Sequence, residues 1–384
     1  MNLEQIYRVT KLIPKLRNWV LHDYLQVNGG AERLVINLAR GLSGFGLGVS
    51  GIYQNFVSSG ELGEMHCQIT AGVLTRCLPR IPRALIAFSS SKSLIRHADC
   101  VIYSGIYAPL AVRHQLTGKR IYYCHTPPRF AFDREEEYLE RSILLFRPFL
   151  RIMIAQYRKA YLNALKHMDL IIANSNHVSK RLYDLTGMDS KVIYPPILTN
   201  HFSHRGEGGY YLSVGRLEKP KRVDRIVRAF LSMPDCNLVV ASGGSEFDRL
   251  NRIAKGAANI HFTNWINDND LADLVGRAIA VIYIPSDEDF GMSAVEAMAA
   301  GRPVIGVADG GLLETIVDGQ TGIMLAPNPS PAAIASAVKQ LTEETAIQMR
   351  ESCIYRAGQF STEQFLSSFK SIIEQDDLTN LSFK

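Results

Sequence analysis

Cysteine is scarce in this sequence of 384 residues, and its few cysteines follow no pattern that holds a metal or a disulfide framework. None forms a Cys-x-x-Cys pair or has histidine partners at metal-ligand spacing; the six are Cys67, Cys77, Cys100, Cys124, Cys236 and Cys353. Such a distribution is typical of free thiols in a reducing cytoplasm. No Asp-x-Asp stands at a convincing strand end either. We therefore expect neither a metal nor a cofactor.

Long apolar runs are also missing. No run approaches the ~20 residues that a membrane-spanning helix needs. The chain starts Met-Asn-Leu-Glu-Gln-Ile, without the basic and then apolar order of a signal peptide. With 47% hydrophobic and 21% charged residues, the composition is that of a globular protein. Its length exceeds what one core usually holds, so we expect two domains in a cytoplasmic protein.

Charge is divided unevenly along the chain. Residues 1–195 hold 25 Lys and Arg against 14 Asp and Glu, whereas the remainder holds 17 against 23. A basic first half favours an anionic surface or acceptor as its partner. The basic residues are dispersed and are not interleaved with stacking aromatics, so the sequence argues against a nucleic-acid partner.

One acidic segment organises the second half of the chain. Ala280–Ile284 has the apolar, β-branched composition of a buried strand, and a second strand starts at Arg302. Between them an acidic loop passes through Gly291 into a helix, for which Ser293 is the expected N-cap. Strand, loop, helix and strand in this order predict an open parallel sheet, which binds ligands beyond the carboxyl ends of its strands.

Two glutamates with seven residues between them lie in this segment. Glu288 can accept hydrogen bonds from sugar hydroxyls and Glu296 can bind a ribose diol. The backbone N–H groups of Phe290, Gly291, Met292 and Ser293 can face an anionic ligand. Taken alone, the glutamates could equally be a solvated loop charge and a complement to the helix dipole. However, the order Glu-Asp-Phe-Gly…Glu-Ala-Met-Ala-Ala-Gly-Arg-Pro-Val-Ile closely resembles the signature of retaining glycosyltransferase family 4, enzymes of the GT-B fold.

Other motifs extend the resemblance to both halves of the chain. Gly29 and Gly30, before a helix predicted from Ala31, match the family's glycine loop, and the run His-Thr-Pro-Pro-Arg from His125 matches a loop whose histidine contacts the donor sugar. On its own, a lone histidine at a strand end is more often structural. Asn174-Ser175-Asn176, expected to cap a helix, is also typical of the family.

The second half repeats the pattern of charged and glycine-rich loops after strands. Arg216 and Lys221, in Gly-Arg-Leu-(x)3-Lys order, resemble the family's diphosphate-binding pair, although Lys219 and Arg222 compete for that role. Gly243 follows a strand and permits close nucleotide approach. Trp265 and Ile266 correspond to a loop beside the base, but a buried aromatic residue would fit Trp265 equally well.

The resemblance implies an α/β chain of GT-B architecture: two Rossmann-like, doubly wound domains that face each other across a cleft. We expect an acceptor-binding domain over residues 1–197 and a nucleotide-sugar domain over residues 198–360. The segment 361–384 would form a helix that crosses back onto the first domain. Residues 56–98 show too little pattern for their elements to be ordered.

The implied function is that of a retaining, metal-independent hexosyltransferase. It would move a sugar from a nucleotide-diphosphate donor, with UDP-glucose or a similar UDP-hexose favoured, to a saccharide or lipid-linked acceptor in bacterial polysaccharide synthesis. The catalytic set would be His125, Glu288, Arg216 and Lys221. Three alternatives stay open: a GDP-mannose-dependent mannosyltransferase, a nucleotide-sugar epimerase and a non-catalytic nucleotide-binding module.

Two segments could bring the protein to the inner face of an anionic membrane. Residues 1–18 interleave apolar and basic side chains at helical spacing, which suits a membrane surface and a packed helix equally. Residues 144–154 mix large apolar residues with arginines, and here a core helix kinked or broken at Pro148 is favoured over a lipid-facing patch.

Overall fold

The computed structural model describes residues 16–26, 29–53, 66–69, 80–89 and 92–379. The helix expected over residues 1–18 lies almost wholly outside these residues. Contacts divide the chain into two compact units. One unit is Met1–Ile193 with Leu366–Lys384, and the other is Tyr194–Phe365.

The first unit contains a seven-stranded parallel sheet in the order β3-β2-β1-β4-β5-β6-β7. Its strands are β1 (Asn18–His22), β2 (Phe45–Val49), β3 (His66–Gln68), β4 (Cys100–Ser104), β5 (Lys119–Cys124), β6 (Leu170–Ala173) and β7 (Lys191–Val192). The α-helices are α1 (Gly30–Gly41), α2 (Arg80–Ser89), α3 (Lys92–Ile95), α4 (Glu135–Glu140), α5 (Arg147–Leu165) and α6 (Asn176–Thr186). Short 3-10 helices cover Ala108–His114, Arg129–Ala131 and Leu144–Phe146.

The second unit contains a six-stranded parallel sheet in the order β10-β9-β8-β11-β12-β13. Its strands are β8 (Tyr210–Ser213), β9 (Asn237–Ala241), β10 (Ile260–Asn264), β11 (Val281–Ile282), β12 (Val304–Val307) and β13 (Gly322–Leu325). The helices are α7 (Val223–Leu231), α8 (Phe247–Ala254), α9 (Asp268–Arg277), α10 (Met292–Ala299), α11 (Leu312–Thr315), α12 (Pro331–Gln340) and α13 (Glu343–Gly358). A short 3-10 helix covers Lys219–Lys221, and the last helix, α14 (Thr362–Thr379), runs from this unit into the first.

Strand composition explains why both sheets are buried inside their units. Every residue of β4 and β12 is buried, as expected for parallel strands covered by helices on both faces. Each unit has its own apolar core. Trp19 and Tyr103 are among the largest buried side chains of the first core, and Phe230 is among those of the second.

The strand order fixes where a ligand can bind in each unit. Counted within its own unit, each sheet begins with the order 3-2-1-4-5-6, so the direction of winding reverses between the first and fourth strands. Ligands of doubly wound sheets bind outside the carboxyl ends of the strands at that reversal. In the first unit the reversal lies between β1 and β4, and in the second between β8 and β11.

The interpretation of residues 144–154 as a core helix is wrong. Pro148 lies in the first turn of α5, where a missing N–H costs nothing, so it starts a helix instead of kinking one. The apolar side chains around it are exposed, and Leu145 is 84% exposed. No helix among the described residues combines the length and the apolar character needed to cross a bilayer.

Candidate functional site

The reversal of the second sheet brings together two loops that carry charged residues. One loop follows β8 and contains Arg216 and Lys221, and the other follows β11 and contains Glu288. Because β8 and β11 are paired neighbours, the loops after them meet at the same edge of the sheet. This is the edge at which the sequence predicted a nucleotide diphosphate.

Lys221 is held at the centre of this edge. Its Nζ donates to Glu288 Oε2 at 2.7 Å and to the hydroxyl of Tyr283 at 2.7 Å. Both charged side chains are largely buried, and burial raises the pKa of Tyr283 well above its usual value, with the carboxylate of Glu288 adding to the rise. The ammonium is therefore fixed by two oxygen acceptors, one neutral and one anionic.

The other cations of the loop differ from Lys221 in their surroundings. The side chain of Arg216 is 61% exposed and lies 3.8 Å from a carboxylate oxygen of Glu218. Arg222 turns away and donates to the carbonyl of Pro327, while Lys219 is exposed. The structure thus brings Lys221 to Glu288 and leaves Arg216 available at the surface.

The loop that carries Glu288 rests on the turn before α11. Asp287, at φ 54°, donates its N–H to Asp309, and the N–H of Gly311 donates to the carbonyl of Glu288 at 2.7 Å. A Cβ atom on Gly310 would lie 2.3 Å from that same carbonyl oxygen, and one on Gly311 would lie 2.4 Å from the Cα of Phe290. Side chains cannot fit there, so the two glycines allow the loops to stack.

Helix α10 begins two residues earlier than an N-cap at Ser293 would place it, and its cap differs. Gly291, at φ 92°, is the N-cap residue and Met292 is the first helical residue, so the prediction of Ser293 as the cap is wrong. Glycine adopts this left-handed backbone without strain, which explains why no side-chain cap is used. Glu296 consequently lies beyond the first turn and is only 7% exposed, which disfavours the interpretation that it merely complements the helix dipole. Phe290 is buried in the core of the unit.

The loops after β9 and β10 join the same edge. A Cβ on Gly243 would lie 2.4 Å from the indole nitrogen of Trp265, and one on Gly244 would lie 2.5 Å from the carbonyl oxygen of Leu217. Trp265 is 63% exposed, so the alternative of a buried aromatic residue is wrong, while Ile266 packs partly against the core. The exposed indole next to Gly243 is a flat apolar surface of the kind that a base can stack on.

In the first unit the histidine predicted for the site lies at the end of β5 in a chain of hydrogen bonds. His125 Nε2 is 2.7 Å from Ser104 Oγ, and Ser104 Oγ is 3.0 Å from His22 Nδ1. Because β1, β4 and β5 are adjacent strands and each of these residues ends or follows its strand, the three side chains meet across the sheet edge. His125 is partly accessible, whereas His22 and Ser104 are buried.

Both imidazoles are neutral at neutral pH. Burial lowers the pKa of His22 to about 4, against a smaller opposite effect of a hydrogen bond to the backbone of Ser104. Burial also lowers the pKa of His125 to about 3, and a charge on His22 would lower it further. His125 can therefore donate or accept one hydrogen bond to a ligand but does not offer a positive charge.

Asp23 organises the loop that follows β4. Its carboxylate accepts three backbone N–H groups, from Ile106 at 2.7 Å and from Tyr107 and Ala108 at 2.8 Å. Burial raises its pKa to about 6, and the three hydrogen bonds oppose the rise. The carboxylate therefore fixes the start of the 3-10 helix Ala108–His114 beside the sheet reversal.

The glycine loop of the first unit leads directly into a helix. Gly29 is extended, at φ −90° and ψ 174°, and α1 begins at Gly30, with Arg33 N–H donating to the carbonyl of Gly29. The backbone N–H groups at the start of a helix point away from its first turn, which is the geometry behind the prediction of an anion-facing loop here.

Several residues at these two edges were missed from the sequence. Tyr283 lies in the apolar run 280–284, just after β11, and His22, Asp23 and Ser104 lie at strand ends without a recognised motif. A polar residue that ends a buried strand next to the reversal is the signal that could have found the last three. Within the described ranges, no group of three or more His, Cys, Asp and Glu side chains is placed to hold a metal.

Comparisons with known proteins match nearly the whole chain. A family model described as Glycosyltransferase Family 4 matches residues 28–201, and one described as Glycosyl transferases group 1 matches residues 199–360. The α-1,3/1,6-mannosyltransferase ALG2 of Dictyostelium discoideum is 25% identical and covers 85% of this chain and 89% of its own.

Solved structures agree on the fold. Anabaena HepE in complex with UDP superposes with a TM-score of 0.74 at 16% identity, covering 94% of this chain and 100% of its own. Sucrose-phosphate synthase from Thermosynechococcus elongatus gives a TM-score of 0.73 at 19% identity with the same coverage. The fold is therefore the GT-B fold. With both family models matched across residues 28–360, the chain belongs to glycosyltransferase family 4.

Proposed function

We propose that this glycosyltransferase transfers a hexosyl group from a nucleoside-diphosphate hexose, with retention of anomeric configuration and without a metal ion. The observation that carries the proposal is the Lys221 ammonium fixed between Glu288 and Tyr283 at the reversal of the second sheet. An ammonium has three donors. Two are used by these partners, which leaves the third for a phosphate oxygen.

The charges at this edge suit a leaving diphosphate. As the glycosidic bond to the donor breaks, negative charge grows on the diphosphate, and fixed cations stabilise it without reorganisation. Lys221 supplies a positioned point charge, and the exposed Arg216 guanidinium can close on the phosphates bidentately. Glu288 would then bind sugar hydroxyls, Glu296 the ribose and Trp265 the base, while His125 would position the hexosyl group.

For the donor we propose two candidates. The likeness to ALG2, a mannosyltransferase by name, favours a mannosyl donor and so the GDP-mannose alternative among the predictions from the sequence. The structural likeness to HepE, whose structures include complexes with UDP and with UDP-glucose, favours the UDP-hexose expected from the sequence. For the acceptor we propose a saccharide or a lipid-linked oligosaccharide.

Calorimetry of the whole protein against UDP, GDP, UDP-glucose and GDP-mannose, each with and without EDTA, tests the donor class. We expect micromolar binding of one nucleotide and its sugar, unaffected by EDTA. Loss of binding in EDTA would overturn metal independence, and binding of none of the four would remove the proposed donor class. Release of sugar without an acceptor would instead identify an epimerase.

Variants of the cation loop test the site itself. Replacing Arg216 and Lys221 together by Ala should cost about 3 kcal/mol or more of nucleotide affinity, because each removes a charge-assisted hydrogen bond worth ~1.5–3 kcal/mol. Lys219→Ala is the matched control, since Lys219 is an exposed cation of the same loop. Equal nucleotide affinity in the double variant and the control would show that the nucleotide binds at another site.

We also propose that the first unit docks on anionic membranes through one exposed segment. The apolar–basic segment, residues 141–153, exposes seven large hydrophobic side chains, namely Ile143, Leu144, Leu145, Phe146, Phe149, Ile152 and Met153. Soluble monomers rarely expose so many large apolar side chains within one short segment. The segment begins with Arg141 and also carries Arg147 and Arg151, a composition typical of helices that lie in a membrane interface.

Charge complementarity supports a lipid surface as the proposed partner. Arg141 and Arg151 pair with Glu137 and Glu136, but residues 1–195 as a whole carry 25 basic against 14 acidic side chains. An anionic leaflet attracts such a surface, and the apolar side chains can enter the headgroup region.

Vesicle sedimentation tests the membrane proposal. Binding to phosphatidylglycerol-containing vesicles should exceed binding to pure phosphatidylcholine vesicles and should weaken as salt rises. Leu145→Glu with Phe149→Glu should abolish it, whereas Leu116→Glu, at an exposed apolar residue elsewhere in the unit, should not. Undiminished binding of the double variant, or no binding at low salt, would refute this surface.

A further inference from the structure

The chain His22–Ser104–His125 restricts where protons can lie. Both rings are neutral, so each carries one ring proton, and the serine hydroxyl carries one more. Each of the two hydrogen bonds needs one proton between its two atoms. Since the hydroxyl supplies only one, the other must come from the facing nitrogen of one ring.

Two arrangements satisfy this requirement. In the first, His22 Nδ1–H donates to Ser104 and the hydroxyl donates to His125 Nε2, so His125 carries its proton on Nδ1. In the second, His125 Nε2–H donates to Ser104 and the hydroxyl donates to His22, so His125 Nδ1 is bare. The buried ring thus determines whether the accessible ring is a donor or an acceptor at Nδ1.

The distances favour the first arrangement. Hydrogen bonds in which a hydroxyl donates to oxygen are typically shorter than those in which an N–H group does, with modes near 2.7–2.8 Å and 2.9–3.0 Å, and we expect the same order when the hydroxyl donates to a ring nitrogen. Ser104 lies 2.7 Å from His125 and 3.0 Å from His22. This difference favours a hydroxyl that donates to His125 and accepts from His22.

We infer that His22 and Ser104 are positioning residues that hold His125 with its proton on Nδ1, so that Nδ1–H donates to an oxygen of the hexosyl group. The tautomer follows from the two distances and the neutral rings of the first unit. Only the final step, donation to the sugar, rests on the proposed function.

Nitrogen NMR of the imidazoles tests the tautomer, which ordinary crystal structures do not show directly. The full-length protein would be labelled with ¹⁵N-histidine and studied at pH 7.5, with each ring assigned by a single His-to-Gln substitution. His167 is an internal standard, because its Nδ1 lies 2.7 Å from the carbonyl oxygen of Asn163 and must be the protonated nitrogen. We expect His125 to show the same Nδ1–H pattern as His167. A His125 ring protonated on Nε2 would overturn the inference.

Variants separate positioning from simple packing. Ser104→Ala removes the hydroxyl that donates to His125 Nε2. His125 should then shift towards the Nε2–H form that a neutral imidazole prefers in water. His22→Phe fills similar space without a nitrogen and should give a mixture of tautomers. His22→Asn, which retains an N–H donor near the Nδ1 position, should lie closer to wild type. An unchanged His125 tautomer in Ser104→Ala would also overturn the inference.

Kinetics add a readout that depends on the proposed function. In Ser104→Ala and His22→Phe we expect kcat to fall about tenfold, the loss of one hydrogen bond in the transition state, while nucleotide affinity at the second unit stays unchanged. Unchanged kcat with an altered tautomer would refute the hydrogen bond from His125 Nδ1–H to the hexosyl group, while the tautomer assignment would still hold. Failure of nucleotide binding in the wild type would instead refute the proposed function.

Discussion

The imidazoles of His22 and His125, at the ends of β1 and β5, make the stability of the first unit depend on pH. The pKa of each ring is lower in the folded chain than the ordinary 6.5, at about 4 for His22 and about 3 for His125, because burial disfavours the charged form. Between pH 6.5 and these pKa values, the two histidines are protonated in the unfolded chain but remain neutral in the folded chain. Each ring therefore removes about 1.4 kcal/mol from the free energy of unfolding per pH unit of acidification.

Asp23 acts in the opposite direction. Burial raises its pKa from 3.8 to about 6, so between these values the folded chain holds a proton that the unfolded chain has released. Its contribution to the free energy of unfolding therefore grows as the pH falls from 6 towards 4. On acidification, His22 and His125 each lower the free energy of unfolding and Asp23 alone raises it. Together the three groups therefore destabilise the first unit as the pH falls.

Urea unfolding of the wild type and of His22→Phe at several pH values between 7 and 4.5 measures this effect. The free energy of unfolding should fall less steeply on acidification in the variant, by about 1.4 kcal/mol per pH unit. Leu116→Ala, at an exposed apolar residue of the same unit, is the control and should follow the wild type. Parallel curves for the wild type and His22→Phe would show that His22 is protonated equally in both states.

At the scale of elements, the loops after β11 and β12 form one support for the glutamate of the site. Gly311 has an ordinary helical backbone, at φ −66°, yet a Cβ there would lie 2.4 Å from the Cα of Phe290. Gly311→Ala should therefore push the 288–290 loop away and weaken nucleotide binding by about tenfold or more, as expected for a site displaced by a fraction of an ångström.

Gly358→Ala is the matched control for this substitution. Gly358 ends α13, and a Cβ there would have open space around it, so alanine should be neutral or slightly stabilising. Calorimetry with the bound nucleotide and thermal unfolding of both variants measure the two effects. Normal affinity in Gly311→Ala would show that the loop accommodates the methyl group and that its stacking does not fix Glu288.

The sequence predicted those elements whose signal is local. The apolar run 280–284 predicted the strand that the structure ends at Ile282, and the capping role of Ser175 is confirmed by its hydrogen bond to the N–H of Val178. The start of α10 was misplaced, because Ser293 has the side chain of a cap whereas Gly291 has the backbone for it. A residue pattern does not reveal which of two such signals prevails.

The rest of the site depends on contacts between distant residues. Tyr283 reads as an ordinary strand residue, and only the return of the loop after β8 places Lys221 on its hydroxyl. Ser104 likewise acquires its role from strand pairing, which sets it opposite His22 across 82 residues of chain. The sequence likewise did not predict that the side chains of the apolar–basic segment are exposed, since the same residues would suit a buried helix or a surface.

For the whole molecule, the two separate cores predict two responses that can be changed independently. The core around Trp19 and Tyr103 belongs to the first unit, which also holds His22 and His125. The core around Phe230 belongs to the second, which holds the proposed nucleotide site. Units with their own cores can unfold as separate transitions. In scanning calorimetry, acidification from pH 7 to 5 should lower the midpoint of the first unit's transition.

Nucleotide should act on the other transition. A ligand that binds only the folded second unit stabilises it by about 2.7 kcal/mol when present at 100 times its Kd, so the midpoint of that transition should rise while the first barely moves. The Arg216→Ala, Lys221→Ala double variant should keep the acid response and lose the nucleotide response. If acid and nucleotide instead shifted one common transition, the two units would unfold as a single cooperative body. Protonation of His22 and His125 and nucleotide binding at Lys221 would then act on the same unfolding equilibrium.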